Sequence, residues 1–413
     1  MSVVNNRSFG ANNWCLQFES LSDSSTDQSS NYLLTSLSNG ECHVLNKETL
    51  VSVNACKGWF SGKPISGMTS MQDGNTFALS SDKTIKIFDL RTDLQKNCAT
   101  TITSNNSPVM SLTYDHDTLC YGTELKGVDA PIHLYRKGYY DTPYRSFLDS
   151  HHDDVMSLKF HPTDRNVLLS GSTDGYCNVY DLTQEEEEDA LHQVINYQSV
   201  HSCGFLSPKR IFVLGHMEYL SVHSLNDKSD ELHEEKPLDF GDLREPLNCE
   251  YVVNVYPGFV ATGKNSESCL KIWSLQNEQI NTKQPLVELT NVHGGEVIRD
   301  VFLQDNLIYT CGEDGQVNVF KASNALNLPK TFWEYDSHNS AETNVFEGTT
   351  ADIDMSENGD EQVVTEANVS EGEPIPDKPR SSKHKSKNKS KHKSKHKSAN
   401  HSSSSSSRLY KPY

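Results

Sequence analysis

Histidine, serine, aspartate and tyrosine residues recur at spacings that resemble the parts of a hydrolase triad. One stretch contains four of them and a second contains two: His151, Ser170, Asp174 and Tyr180, then His293 and Asp314. The histidine precedes the aspartate by 23 positions in the first stretch and by 21 in the second. A catalytic triad is a single geometric arrangement, whereas a pattern that recurs along the chain is typical of structure. We therefore predict a buried hydrogen-bond network that ties neighbouring strands together.

Other catalytic signatures are missing from the sequence. No glycine-rich phosphate loop, His-Glu-x-x-His zinc motif or Gly-x-Ser-x-Gly nucleophile elbow occurs. The ten cysteines are scattered without a Cys-x-x-Cys pair, which favours reduced core residues in a reducing compartment. We predict a protein that is not an enzyme and has no cofactor, metal or small-molecule substrate. We also expect no secretory signal or membrane span, because the N-terminus lacks an apolar segment and no run of eighteen apolar residues occurs.

The elements that must position these residues are short β-strands in a repeat. A strand-like segment that ends in a hydrophobic or aromatic residue and then a polar one recurs seven times. Its marker residues are Leu45, Phe88, Tyr135, Tyr180, His223, Trp273 and Phe320. The steps between them are 43, 47, 45, 43, 50 and 47 residues, the length of a four-stranded propeller blade. The sequence therefore predicts an all-β fold, a seven-bladed WD40 β-propeller followed by a disordered tail.

We place the propeller in residues 1–335. The predicted units are about 10–55, 64–103, 106–149, 151–196, 197–240, 250–291 and 292–335. Closing the ring requires one more strand to complete the last blade, since an open blade would expose its edge. The sequence offers two candidates for this strand, residues 2–4 and residues 331–335, and does not choose between them.

Charge divides the chain into three parts. Residues 336–377 contain twelve Asp and Glu with no Lys or Arg, and residues 378–413 contain ten Lys and two Arg with no acid. These charges cancel, so the net charge of -19 lies on residues 1–335. We predict an acidic disordered linker, a basic disordered tail, and a propeller that favours basic protein partners.

The tail carries lysine at every second position between residues 383 and 397: Lys383, Lys385, Lys387, Lys389, Lys391, Lys393, Lys395 and Lys397. Three interpretations of this run stay open. It is a nuclear import signal, a weak contact with nucleic-acid phosphates, or a solubilising tail. The import interpretation places the protein in the nucleus, with the cytoplasm as a second location.

A second charged run follows the last predicted strand of the fourth unit, so we place it on a loop that connects two blades. It comprises Glu185, Glu186, Glu187, Glu188 and Asp189. It is either a solvated polar loop or a contact for a basic partner segment.

Several stretches together resemble one family. They are HHDDVMSLKFHPTDRNVLLSGSTDGYCNVYDLTQEEEEDAL (residues 151–191), GTELKGVDAPIHLYR before it, and HGGEVIRD followed by GEDGQVNVFK. This combination resembles the WD repeat-containing protein 89 family over roughly residues 10–323. The resemblance implies a seven-bladed propeller without assigned catalysis and, for fungal members, a nuclear location. Units one and five depart from the strict repeat, with Asn39 and Met217-Glu218 at the turn positions.

Together these observations predict a non-enzymatic protein-binding scaffold of the nucleus. Its acidic surface suggests an escort for basic nuclear clients such as histones, ribosomal proteins or assembly factors. The alternative is a substrate-recognition adaptor in a ubiquitin-ligase or chromatin-modifying complex, which would use the same platform differently.

Overall fold

A computed structural model describes residues 3–23, 28–104, 107–226, 236–324, 326 and 328. The candidate strand at 331–335, the predicted linker (336–377) and the predicted tail (378–413) lie outside the described residues. Within the described residues the chain forms seven antiparallel sheets of four or five strands each. The predicted seven-bladed all-β propeller is confirmed.

The strands follow the chain blade by blade. The first, β1 (Val3–Ser8), precedes blade 1, which comprises β2 (Cys15–Asp23), β3 (Gln28–Leu37), β4 (Cys42–Asn46) and β5 (Ser52–Cys56). Blade 2 comprises β6 (Gly67–Ser70), β7 (Thr76–Ser81), β8 (Thr84–Asp89) and β9 (Thr100–Thr103). Blade 3 comprises β10 (Val109–Asp115), β11 (Thr118–Thr123), β12 (Ile132–Arg136) and β13 (Arg145–Phe147). Blade 4 comprises β14 (Val155–Phe160), β15 (Val167–Ser172), β16 (Tyr176–Asp181) and β17 (Leu191–Asn196), with the helix α1 (Glu187–Ala190) before β17.

The remaining blades keep this order. Blade 5 comprises β18 (Val200–Ser207), β19 (Arg210–Gly215), β20 (Tyr219–Ser224) and β21 (Leu238–Asp242). Blade 6 comprises β22 (Tyr251–Tyr256), β23 (Phe259–Lys264), β24 (Cys269–Gln276), β25 (Gln279–Ile280) and β26 (Val287–Thr290). Blade 7 comprises β27 (Ile298–Gln304), β28 (Leu307–Gly312) and β29 (Gln316–Lys321). Short 3₁₀ helices occupy Asn265–Glu267 and His293–Gly295, and none of the helices in these described segments is long and apolar enough to span a bilayer.

The N-terminal strand supplies the fourth strand of blade 7. Strand β1 pairs antiparallel with β29, with Val3 opposite Phe320 and Ser8 opposite Gln316. The Phe9 N–H extends this pairing by donating to Gly315 O at 2.8 Å. Of the candidate closing strand at residues 2–4, the two described residues, Val3 and Val4, lie at the start of the strand that pairs with β29. The two ends of the repeat region meet in one sheet, which removes an open edge from the ring.

Apolar residues from adjacent blades form the core. One cluster joins Leu169 and Val179 of blade 4 to Val200 and Val213 of blade 5, and all four side chains are fully buried. A sheet buries both faces only when a neighbour covers each of them, so every blade depends on the next for its core. Nine of the ten cysteines are buried, and all ten are free thiols.

Polar side chains of the inner strands link blades around the centre. In blade 7, Asp300 Oδ2 accepts the Phe18 N–H of blade 1 at 2.8 Å, and Asp300 Oδ1 accepts the Tyr256 hydroxyl of blade 6 at 2.6 Å. In blade 1, Glu19 Oε1 accepts the Ser70 N–H of blade 2 at 2.9 Å. Burial in the centre of the ring raises the pKa of Glu19 to about 7. Single side chains thus tie up to three blades together.

Other blade interfaces use smaller groups. The Ser111 hydroxyl of blade 3 donates to Val155 O of blade 4 at 2.7 Å. At the interface of blades 2 and 3, a Cβ at Gly67 would lie 2.8 Å from Leu112 Cβ and 2.8 Å from Ser80 Oγ. A larger residue at this position would force the side chains of Leu112 and Ser80 to shift.

Candidate protein-interaction surface

A buried hydrogen-bond network fixes the segment that joins blades 3 and 4. His151 Nδ1–H donates to Asp174 Oδ2 at 2.9 Å, and His151 Nε2 lies 2.6 Å from Ser170 Oγ. The Tyr180 hydroxyl is 3.4 Å from Ser170 Oγ. Asp174 Oδ2 also accepts the His152 N–H at 3.0 Å. His151, Ser170 and Tyr180 have no exposed surface, so a substrate cannot reach this histidine and serine. The network therefore braces the backbone of residues 151–152.

Electrostatics keep the central carboxylate of this network ionised. Burial raises the pKa of Asp174, but the hydrogen bond and charge of His151 and the backbone N–H groups outweigh it, and the net pKa lies below its usual range. An ionised carboxylate accepts several hydrogen bonds at once. Asp174 therefore joins its own turn, through the Tyr176 N–H, to His151 and His152 in the segment before β14.

Blade 7 contains a shorter version of the same network. His293 Nδ1–H donates to Asp314 Oδ1 at 2.7 Å, and His293 Nε2 lies 2.8 Å from Thr310 Oγ1. Thr310 was not among the residues singled out from the sequence, although it occupies the place of Ser170 in the repeat. Phe320, which has no hydroxyl group, stands where blade 4 has Tyr180, so this network ends at the threonine.

A hairpin packs against the braced segment. Residues 124–131, which connect β11 to β12, form the longest such connection in the propeller, since the corresponding connections of the other blades have two to four residues. The Leu125 N–H donates to Asp154 Oδ1 at 2.8 Å, and the Ala130 N–H donates to His151 O at 2.9 Å. At the hairpin tip Val128 is 74% exposed, and Leu125 beside it is 37% exposed.

The acidic loop (residues 185–189) lies between β16 and β17, within blade 4. The prediction that it joins two blades is wrong, because Leu191–Asn196 forms a further strand of the same blade. The loop packs against residues 148–150, which precede the braced residues 151–152. Glu187, the first residue of α1, accepts the Leu148 N–H at 2.7 Å and the Asp149 N–H at 3.0 Å, and it also accepts the Ser150 hydroxyl. Glu187 therefore has a structural role that its position in an acidic run does not indicate. The other four acids of the run point to solvent: Glu185, Glu186, Glu188 and Asp189.

The hairpin and the acidic loop each hydrogen-bond to the segment 148–154. We call these three adjoining segments the acidic face (residues 124–129, 148–154 and 185–189). It carries ten carboxylates and one lysine, a net charge of -9. Burial and the charge of Asp154 raise the pKa of Glu124, and burial and the charge of Asp153 raise the pKa of Asp154. Crowded carboxylates of this kind repel one another, and a cation placed between them relieves the repulsion.

The predicted basic residues of the tail (383–397) lie outside the described residues, so the structure does not place them against any surface. Among the residues that are described, no group of three or more His, Cys, Asp or Glu side chains is arranged to hold a metal ion.

Known WD-repeat proteins resemble this chain in sequence. The model of the family described as WD domain, G-beta repeat matches residues 142–181, which include most of blade 4. A WD repeat-containing protein of Saccharomyces cerevisiae is 45% identical over 394 residues, with 93% of this chain and 95% of that protein covered. The WD repeat-containing protein 89 homolog of Dictyostelium discoideum is 34% identical over 266 residues, with 60% of this chain and 69% of that protein covered.

Among solved structures, the β-propeller domain of Cps50 (Swd1) from Myceliophteria thermophila superimposes with a TM-score of 0.56 at 13% identity. The match covers 78% of this chain and 99% of that domain. At this identity the likeness concerns the fold alone.

Proposed function

The chain belongs to the family of WD repeat-containing proteins, and from this premise we propose that its acidic face receives basic segments of nuclear protein clients. A WD40 propeller is a protein-interaction scaffold, and as a class it is generally non-catalytic. The observation that carries the proposal is the net charge of -9 on three adjoining segments held rigid by buried hydrogen bonds.

Electrostatics support a basic client over a neutral one. Complementary charge speeds association and excludes like-charged competitors, while a rigid surface loses little entropy on binding. Clients of this chemistry include the lysine- and arginine-rich segments of histones, ribosomal proteins and their assembly factors. Binding them would shield their charge until they are delivered.

The proposed nuclear location rests on the tail. Eight lysines alternate with Ser, His and Asn between positions 383 and 397, which is the composition of an import signal. A fluorescent fusion of the full chain is expected in the nucleus, and a chain that ends at Asp377 is expected to lose its nuclear enrichment. Equal nuclear enrichment of the two would contradict this part of the proposal.

A charge-neutralised variant tests the client site. Glu185→Gln, Glu186→Gln, Glu188→Gln and Asp189→Asn together remove four exposed charges and leave Glu187, with its structural hydrogen bonds, unchanged. The matched control removes four exposed charges from outside the acidic face: Glu48→Gln, Asp117→Asn, Glu245→Gln and Asp305→Asn. The two variants have the same net charge as each other. Comparing them therefore separates binding at the acidic face from general electrostatic attraction to the whole protein.

The readout is the set of proteins that copurify with the tagged full chain from its native cell at low and at moderate salt. We expect basic nuclear proteins with the wild type and the control, and their loss from the acidic-face variant. Equal recovery from both variants would reject the acidic face as the client site. Recovery of ligase subunits instead of basic clients would favour the adaptor alternative.

A further inference from the structure

The hairpin tip gives the acidic face an apolar anchor point. We propose that Leu125 and Val128 receive an aliphatic side chain of the client, so that the face selects basic segments that carry an aliphatic residue over segments that carry charge alone. This inference rests on the proposed function and names its partner class more closely.

Exposure of the tip is the first argument. Val128 is 74% exposed and Leu125 37% exposed, although both sit on an ordered hairpin. The hairpin closes through the antiparallel bridge between Lys126 and Asp129, and it extends the connection to eight residues where other blades use two to four. An extension that holds two apolar side chains in water destabilises the free protein slightly, and a partner that covers them recovers that free energy.

Rigidity of the hairpin is the second argument. The backbone of Leu125 is held by Asp154, and Ala130 is held by the carbonyl of His151. His152 Nδ1 adds contacts to Val128 O at 3.3 Å and to Asp129 Oδ1 at 3.2 Å. Since the network beneath fixes His151, the tip is already in place before a client arrives, and binding it requires little further ordering.

Charge around the tip identifies the occupant. Glu124 and Asp129 flank the apolar residues in the hairpin, and Asp153 and Asp154 lie in the segment against which the hairpin packs. Lys126 is the one lysine of the acidic face. An acidic or neutral apolar segment would leave these carboxylates repelling one another, whereas lysine or arginine neighbours of an aliphatic residue would pair with them.

Two peptides of equal charge separate the apolar contribution from the electrostatic one. The first has the sequence of residues 383–397, with eight lysines and no apolar residue. The second carries Ser386→Leu, Ser390→Leu and Ser394→Leu, which are four positions apart and share one face when the peptide is helical. Titration of each labelled peptide against the full chain at moderate salt gives two dissociation constants.

We expect the leucine peptide to bind about tenfold more tightly, which corresponds to about 1.4 kcal/mol and to the burial of roughly one aliphatic side chain. Val128→Ser should remove most of that advantage and leave the affinity for the serine peptide unchanged. Val53→Ser is the matched control, since Val53 is a 50% exposed valine on β5 of blade 1.

An equal leucine advantage in wild type and in Val128→Ser would overturn the inference, and so would equal affinity of the two peptides for the wild type. These results are distinct from failure of the proposed function. If the proposed function fails, the variant that neutralises Glu185, Glu186, Glu188 and Asp189 will bind the serine peptide as tightly as the wild type does.

Discussion

Removing the central carboxylate of the blade 4 network tests whether that network braces the acidic face. Asp174 accepts hydrogen bonds from His151 Nδ1 at 2.9 Å, from the His152 N–H at 3.0 Å and from the Tyr176 N–H at 2.8 Å. Asp174→Ala leaves all three donors without this partner. A buried unsatisfied donor costs roughly 1–3 kcal/mol, and water can replace the aspartate at the two exposed backbone groups. We therefore expect the free energy of unfolding to fall by about 1–3 kcal/mol, nearly all of it from the buried His151 donor.

The equivalent change in blade 7 is the comparison. Asp314 accepts from His293 Nδ1 at 2.7 Å and from the Gln316 N–H at 3.0 Å, which is one donor fewer. Asp314→Ala should therefore destabilise the protein less than Asp174→Ala. Urea unfolding of the full chain, followed by circular dichroism, measures both. A loss below about 1 kcal/mol for Asp174→Ala, or a larger loss for Asp314→Ala, would refute this reasoning.

The pH dependence of the same variant gives an independent check. Because the pKa of Asp174 is lower in the folded protein than in the unfolded chain, its contribution is present above the usual aspartate pKa and is lost as the pH falls through the folded value. Wild type and Asp174→Ala should therefore differ in stability at pH 7 and converge in acid. A constant difference would contradict the assignment.

Three further changes test other parts of the fold. Glu19→Gln should stabilise the protein by up to about 3 kcal/mol at pH 8 and by much less at pH 5. Because the folded pKa is raised to about 7, the wild type loses stability as the pH rises from the usual glutamate pKa to about 7. Urea midpoints at both pH values would show the difference, and a loss of stability at pH 8 would contradict it. Glu187→Gln should lower the free energy of unfolding by about 1–2 kcal/mol and Glu188→Gln by less than about 0.5 kcal/mol. The reason is that Glu187, unlike Glu188, accepts three hydrogen bonds. Equal shifts of the two melting temperatures would count against this role. Gly67→Ala should lower the free energy of unfolding by about 1–3 kcal/mol, because the new Cβ would lie 2.8 Å from Leu112 Cβ. An unchanged unfolding midpoint would be inconsistent with that packing.

The sequence predicted the propeller because its repeat is long and regular, but it left the closing strand undetermined. Strand β1 is the outermost strand of blade 7, and Val3 and Val4 are 43% and 53% exposed. A strand without a buried face carries no alternation of apolar and polar residues, so its sequence resembles any short extended segment. Only the pairing with β29 identifies it.

The acidic face was predictable only in part. Its run of five acids is visible in the sequence, yet Glu187 cannot be told from its neighbours there. Its role depends on two backbone N–H groups and a serine hydroxyl that lie 37 to 39 positions away. The approach of the 124–131 hairpin likewise results from the packing of blade 3 against blade 4. Contacts between blades depend on ring geometry, which local patterns do not encode.

Hydrogen exchange of the full chain with and without a client copurified from its native cell tests the central claim most directly. We predict slower amide exchange in residues 124–129 and 148–154 when the client is bound, and unchanged exchange in the outer strands of blades 1 and 7. Protection confined to other blades, with these two segments unaffected, would contradict the acidic face as the client site.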